Sequence, residues 1–301
     1  MKIIRSRSEL KALTSTWCRS GETIGAVLTM GALHSGHLSL VNQALAKADR
    51  VIVTIFVNPR QFNNPEDLAK YPRTEDSDAE ILKPFDIDVL YVPDPEQIYP
   101  DGFATTISVS GVSDGLCGGA RPGHFDGVAT VVTKLLLQTE ADYTFFGEKD
   151  YQQLQVVRRV AADLDLKTEI IACPTIREED GLAMSSRNLR LDVEARAIAP
   201  KIQEFLASAA NAIENGTPVP DVLDAARQKL INAGIDQIDY LELRSDPDLV
   251  QLEIADQPAR LFIAAWLDGI RLIDNLPISE ASFLPPINES TLKSAQIGAA
   301  N

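Results

Sequence analysis

Between Ile24 and Cys173 the chain repeats one local rhythm, a short apolar β-branched run followed by a stretch with helical spacing. The runs IGAVLT (24–29), VIVTIFV (51–57), DVLYVP (88–93), TTISVS (105–110), DYTFF (142–146) and TEIIAC (168–173) read as strands. Several are apolar almost throughout, as strands covered on both faces are. Between them the spacing predicts helices over 38–48, 74–82, 127–138 and 149–164. In the last of these, Leu154, Val157, Val160 and Ala161 recur at three to four residues and make one apolar face. Strand, helix, strand at this interval requires a parallel sheet with right-handed crossovers. The expected fold class is therefore α/β, a Rossmann-like doubly wound parallel sheet.

The rhythm stops after Cys173. CPTIREEDGLAMSSRN is polar and aperiodic, and two helical patterns follow over 192–214 and 219–233. Strand-like YLELR (240–244) and ARLFIAAWLDGIRLIDNL (259–276) complete a smaller C-terminal α+β domain. A length of 301 residues suits two domains at most. The expected division is a nucleotide-binding domain over 1–175 and a lid domain over 176–284, then a polar tail over 285–301 that should be poorly ordered.

Charge narrows the partners. With 28 Lys and Arg against 43 Asp and Glu the formal net charge is −15, which repels phosphate backbones and argues against a broad nucleic-acid interface. A few local cations could still hold a small anion. Cys18, Cys117 and Cys173 are odd in number and form no CxxC pair, so neither a zinc ribbon nor a disulfide framework is indicated. The N-terminus is too polar for a signal peptide, and nothing approaches the run of about 20 apolar residues that spans a bilayer. These features predict a soluble, cytoplasmic protein that does not enter a membrane.

Five segments could carry chemistry. LTMGALHSGHLSL (28–40) lies where the first strand gives way to the first helix, the place where open α/β sheets bind ligands. Gly31 and Gly36 permit a tight turn, and His34 and His37 stand at a helix entrance that favours anions. The G-x4-G spacing resembles a phosphate loop but lacks its Lys-Ser/Thr pair. No G-x-G-x-x-G supports a dinucleotide fingerprint, and His-x-x-His could instead ligate a metal. In FVNPRQFNNPEDLAKYPRT (56–74), Asn58 and Gln61 could bond a small polar acid, or the segment is simply a loop. In RPGHFDGVATVV (121–132), Arg121 and His124 could stabilise an anion, or Arg121 is a surface charge and Asp126 a cap. FFGEKDYQQLQ (145–155) repeats the strand–turn–helix position of the first segment, with Lys149, Asp150 and Gln153 at its entrance, or it is simply a Gly-Glu-Lys-Asp turn with solvated charges. The 174–188 loop offers Arg177, Asp180, Met184, Ser185, Ser186, Arg187 and Asn188, a set suited to closing on phosphates.

A His-x-Gly-His turn after the first strand with a Ser-Ser-Arg loop after the last resembles the nucleotidyltransferase superfamily that includes class I aminoacyl-tRNA synthetases. TMGALHSGH, FVNPRQF, RPGHFDGV, FGEKDYQQL and DGLAMSSRN, in this order and spacing, are similar to the pantothenate synthetase (pantoate–β-alanine ligase) family. The resemblance runs from about Ile24 to Asn188 and more loosely to about Leu284. It implies a ligase that uses ATP and Mg2+ to convert pantoate to pantoyl adenylate with release of pyrophosphate. β-Alanine then displaces AMP to give pantothenate. It also implies a homodimer.

By this resemblance His37, His34, Lys149 and Arg187 are the catalytic residues. ATP would be held by Met30, Gly31, Ala32, Leu33, His34, Ser35, Gly36 and His37, by Gly147, Glu148, Lys149 and Asp150, by Ile176, and by Met184, Ser185, Ser186 and Arg187. Gln61 and Gln153 would bind pantoate, and Gln61 also β-alanine. Arg121 and His124 would lie near the magnesium-phosphate end. No side chain would ligate the metal directly, Mg2+ entering through the ATP phosphates. Two positions depart from the family pattern. Leu28 stands where Pro is usual, restoring a backbone N–H and loosening the strand end, and Arg60 stands where an apolar residue is usual. A related adenylyl- or cytidylyltransferase is the nearest rival. A tRNA synthetase is disfavoured by the absence of room for an anticodon domain, and a non-catalytic nucleotide-binding module would bind ATP without releasing AMP.

Overall fold

The computed structural model describes residues 1–278. The tail expected over 285–301, and the last residues of the expected lid domain, lie outside the described residues. The chain opens with β1 (Lys2–Ile4) and α1 (Arg7–Arg19), which precede the alternation read from Ile24 onward. The Ser6 hydroxyl caps α1 by accepting the Glu9 N–H at 3.2 Å. Only Leu10, Thr14 and Trp17 of this helix are buried, a stripe too narrow to stand out in a polar segment.

The alternation then appears as β2 (Ile24–Thr29), α2 (Ser35–Lys47), β3 (Arg50–Ile55), α3 (Pro65–Lys70), α4 (Glu75–Leu82), β4 (Val89–Tyr91), α5 (Pro95–Ile98), α6 (Leu116–Ala120), α7 (His124–Thr139), β5 (Tyr143–Gly147), α8 (Tyr151–Asp163) and β6 (Glu169–Cys173). The six strands form one parallel sheet in the order β1-β4-β3-β2-β5-β6. From β2 the chain builds outward through β3 and β4 and then returns to add β5 and β6 on the other side. The switch point therefore falls between β2 and β5, where such sheets open a crevice. β2 pairs with β3 along its whole length, Leu28 included, but with β5 only at Gly25↔Tyr143 and Ala26↔Thr144. Beyond Ala26 the two central strands part, and space opens toward their carboxyl ends.

The strand expected over 105–110 is not one. Its Ile107 N–H goes to the Thr130 hydroxyl of α7 at 2.9 Å, and Ile107 and Val109 pack on the main core. The segment lies against a helix with no neighbouring strand to extend its ladder. α7 is buried on nearly every face, the signature of a helix enclosed on all sides.

The remaining elements are α9 (Val193–Ile198), α10 (Lys201–Glu214), α11 (Val219–Asn232), β7 (Gln237–Ser245), β8 (Gln251–Leu252), β9 (Ala259–Leu267) and β10 (Ile270–Pro277). Their sheet is antiparallel in the order β10-β9-β7-β8. The helical pattern expected over 192–214 breaks before Lys201, where Pro200 supplies no N–H to continue it. The strand-like run over 259–276 folds back on itself at Asp268-Gly269, both with positive φ (52° and 66°), the turn an Asp-Gly pair favours between antiparallel strands. Side chains of β9 alternate between two partners. Leu261, Ile263, Ala265 and Leu267 pack with α10 and α11, whereas Phe262 and Ala264, with Tyr240 of β7, join the core of the parallel sheet.

Candidate active site

The turn after β2 is shaped by a carboxylate far along the chain. Asp78 of α4 is 1% exposed and accepts the N–H groups of Ala32 at 2.9 Å and Leu33 at 2.8 Å and the Thr74 hydroxyl at 3.0 Å. A buried carboxylate needs such partners. Gly31 (φ +80°) and Ala32 (φ +52°) take the left-handed conformation that wraps the chain around it. A Cβ at Gly31 would stand 3.0 Å from Asp78 Oδ2.

The chain then enters α2 through a reciprocal cap. His34 Nδ1 accepts the Gly36 N–H at 3.2 Å, and His37 Nδ1 accepts the His34 N–H at 3.3 Å. Each ring therefore carries its proton on Nε2, and the rings lie 4.1 Å apart. Burial lowers His34, with the Lys149 charge adding to the effect. Burial, with His34 alongside, lowers His37 to about 3. Both are neutral N–H donors at physiological pH.

Across the switch point, Gly147 ends β5 and residues 148–150 form a short 3-10 turn into α8. The Lys149 side chain is 17% exposed and sits 3.7 Å from Asp150. Glu148 turns the other way, accepting from Arg260 at 3.3 Å. Gln61 occupies a 3-10 turn over 59–61, where Asn58 donates to its Oε1 at 3.0 Å and its Nε2 meets Met30 Sδ at 3.0 Å. Arg121, between α6 and α7, and His124, the first residue of α7, hold the same turn, donating to the Gln61 carbonyl at 2.9 and 2.8 Å. His124 therefore carries its proton on Nδ1, opposite to the other two histidines. Its Nε2 accepts from Arg121 at 3.2 Å. Burial and the Arg121 charge lower His124 to about 4. Arg60 leaves the site and stacks 4.9 Å over both Tyr99 and Phe103.

The 174–190 loop closes the remaining side. Arg187 and Arg190 both reach Asp67 of α3, at 3.3 and 2.9 Å, and Ser185 accepts the Arg187 N–H at 3.2 Å. Arg177 is committed elsewhere, donating to Asp274 at 2.6 and 3.0 Å, and Asp180 pairs with Arg196 at 2.6 Å.

A cavity of about 240 Å³ lies among these elements. Its lining gathers Met30, His34, Gly36, His37, Gln61, Gly147, Lys149, Asp150, Gln153, Ile176, Met184, Ser185, Ser186 and Arg187, together with Arg121 and His124. Its floor is apolar, with Leu28, Leu40, Phe56, Val131, Val132 and Leu135. Gly31, Ala32, Leu33, Ser35 and Glu148 are not in the wall. The first three form the Asp78 turn, Ser35 is exposed, and Glu148 faces Arg260. A second cavity of about 380 Å³ extends toward β10 and shares Arg121, His124, Lys149, Asp150, Gln153, Ser185 and Arg187. Of the supporting residues that sequence reasoning missed, Asp67 lies within the 56–74 segment, while Asp78, Arg260, Asp274 and Asn275 come from outside the five segments. No local motif marks them.

Two neutral imidazoles, an ammonium and a guanidinium around the mouth of a parallel sheet offer donors and positive charge to a polyanion. This is the equipment of α/β enzymes that act on phosphates. Comparison with known proteins narrows the class. Residues 2–277 match the family model described as pantoate-beta-alanine ligase, and the chain belongs to that family. It is 61% identical over 278 residues to the pantothenate synthetase of Chelativorans sp. (strain BNC1), covering 92% of this chain and 98% of the relative. It is 58% identical to that of Roseobacter denitrificans, covering 93% and 98%. Among solved structures, pantothenate synthetase from Thermus thermophilus aligns with TM-score 0.86 at 40% identity, over 92% of this chain and 99% of that one. The ligase from Francisella tularensis, complexed with beta-gamma ATP and beta-alanine, aligns with TM-score 0.79 at 37% identity, over 92% and 97%.

Proposed function

We infer that this chain joins pantoate to β-alanine at the expense of ATP, through pantoyl adenylate, with the 240 Å³ cavity as the reaction chamber. The observation that carries the reading is the convergence of His34 and His37 with Lys149 and the 185–187 loop on one space. Attack of a carboxylate on the α-phosphorus brings two anions together, so the task is positioning and neutralisation of charge. In this reading His34 and His37 donate Nε2–H to phosphate oxygens, while Lys149 and Arg187 supply the positive charge. Ser185 and Ser186 bond the phosphates from the loop side. Met30, Gly147, Ile176 and Met184 present main-chain groups to the nucleoside, and Asp150 accepts from the ribose. Gly31, Ala32 and Leu33 contribute by shaping the turn.

Gln61 and Gln153 bind the hydroxyl and carboxylate groups of pantoate above the apolar floor, and Gln61 also meets β-alanine. Arg121 and His124 act through Gln61, whose carbonyl they hold. The carboxylate oxygen bonds to the α-phosphorus as pyrophosphate leaves. The free amine of β-alanine then attacks the acyl carbon, AMP leaves with the electron pair of the broken C–O bond, and the nitrogen gives its surplus proton to solvent. Mg2+ would be held through the ATP phosphates and would offset their charge. Among the described residues no three His, Cys, Asp or Glu side chains gather to hold a metal.

The reading also takes residues 1–175 as the nucleotide-binding domain and 176–284 as a lid, since the parallel sheet ends with β6 at Cys173. A cytoplasmic homodimer belongs to it as well. Among the described residues no helix is long and apolar enough to cross a membrane, and sedimentation of the purified chain tests the dimer. The deciding experiment for the function is pyrophosphate exchange into ATP. Exchange should require pantoate, and β-alanine should then release AMP. Exchange supported by nicotinamide mononucleotide or phosphopantetheine in its place would overturn the reading.

A further inference from the structure

One side chain of the antiparallel sheet grips the turn that carries Lys149. Asn275 of β10 is 3% exposed, and its Nδ2 donates to the carbonyl oxygens of both Glu148 and Lys149, each at 2.9 Å. Its Oδ1 accepts from Arg260 Nη1 at 2.6 Å. A guanidinium has only donors, so it fixes the amide with the oxygen toward Arg260 and the NH2 toward the turn. Arg260 is itself held, 3.8 Å over the Tyr151 ring and 3.3 Å from the Glu148 carboxylate. The turn needs such a grip, because the β5 ladder ends at Gly147 and α8 begins only at Tyr151. The adjacent Asp274 holds Arg177, one residue beyond Ile176, through two hydrogen bonds. Asp274 and Asn275 border the larger cavity beside Lys149 but not the smaller one that gathers the histidines.

We propose that Asn275 is a positioning residue for Lys149, fixing where its ammonium meets the phosphates through the main chain of the 148–149 turn. This rests on the reading of Lys149 as the phosphate-side cation. Displacing a charged group by about 1 Å can cost about a hundredfold in rate, which sets the scale of the effect.

The test is a double-mutant cycle on pantoate-dependent ATP–pyrophosphate exchange, with the wild type, Lys149→Ala, Asn275→Ala and the double variant. Asn275→Ala should lower the maximal exchange rate by about 10- to 100-fold with the KM for pantoate unchanged. The double variant should be no slower than Lys149→Ala alone, because Asn275 has nothing to position once the ammonium is gone. Losses that multiply in the double variant would overturn the proposal, as would an Asn275→Ala enzyme of full activity. Full activity in Lys149→Ala would instead overturn the role of Lys149 itself. Should Asn275→Ala not fold, Asn275→Asp keeps an oxygen toward Arg260 and presents acceptors to the two carbonyls. The same cycle then applies, with the same outcomes deciding.

Discussion

The three histidines separate into two kinds by the hydrogen bond each Nδ1 makes. His34 and His37 accept main-chain N–H groups there and so offer Nε2–H, whereas His124 donates from Nδ1 to Gln61. His37 and His124, lowered by burial to about 3 and about 4 from 6.5, stay neutral where the unfolded chain would take up protons. Their contribution to stability is thus complete above pH 6.5 and declines as pH falls through the folded values. In an NMR titration between about pH 5 and pH 8 neither ring should show a protonation step, and a midpoint near 6.5 for His37 would contradict its assignment as a neutral donor. His37→Ala should slow adenylation by about 10²–10³, measured as the exchange rate, and a loss of only a few-fold would remove His37 from the chemistry. Asp67 holds Arg187 in an ion pair, so under the proposed role of Arg187 it would compete with phosphate. Asp67→Asn should therefore lower the KM for ATP in the exchange assay, and an increase would show that the carboxylate instead presents Arg187 to the nucleotide.

At the scale of elements, the helix α7 and the 59–61 turn approach so closely that only glycine fits between them. A Cβ on Gly127 would stand 2.3 Å from the Arg60 carbonyl oxygen and 2.8 Å from the Gln61 nitrogen. Gly127→Ala must push the turn outward, at a cost of about 1–3 kcal/mol in stability. It should raise the KM for pantoate more than that for ATP, as steady-state kinetics with each substrate varied would read; equal effects would place Gln61 away from pantoate. The strands β2, β3, β4, β5 and β6 were legible within about two residues because apolar β-branched runs covered on both faces leave a local signature. The run over 105–110 is also rich in β-branched residues, though four of its six are Thr or Ser, and it forms no strand, since pairing depends on a neighbour with a free edge. α1 was missed for the converse reason, a helix that buries only three side chains of its thirteen residues.

At the scale of the whole molecule, the site joins both sheets. Loops after β2 and β5 supply one side and the 184–188 loop supplies the other, while Arg177 and the Lys149 turn are both tied to β10. Binding of ATP should therefore protect backbone amides of β9 and β10 from hydrogen exchange as well as those of residues 30–37. Protection confined to the parallel sheet would mean that the antiparallel sheet takes no part in holding nucleotide. The sequence by itself determined the α/β class, the strand–turn–helix places suited to anions, and the residues of the five motifs, because each of these is written in neighbouring positions. Only the tertiary structure decided that Asp78 takes the amides of Ala32 and Leu33, that Arg121 and His124 support Gln61, and that Asn275 holds the Lys149 turn. Those contacts join residues tens to more than a hundred positions apart, and a buried polar group takes whatever partner the packing brings to it.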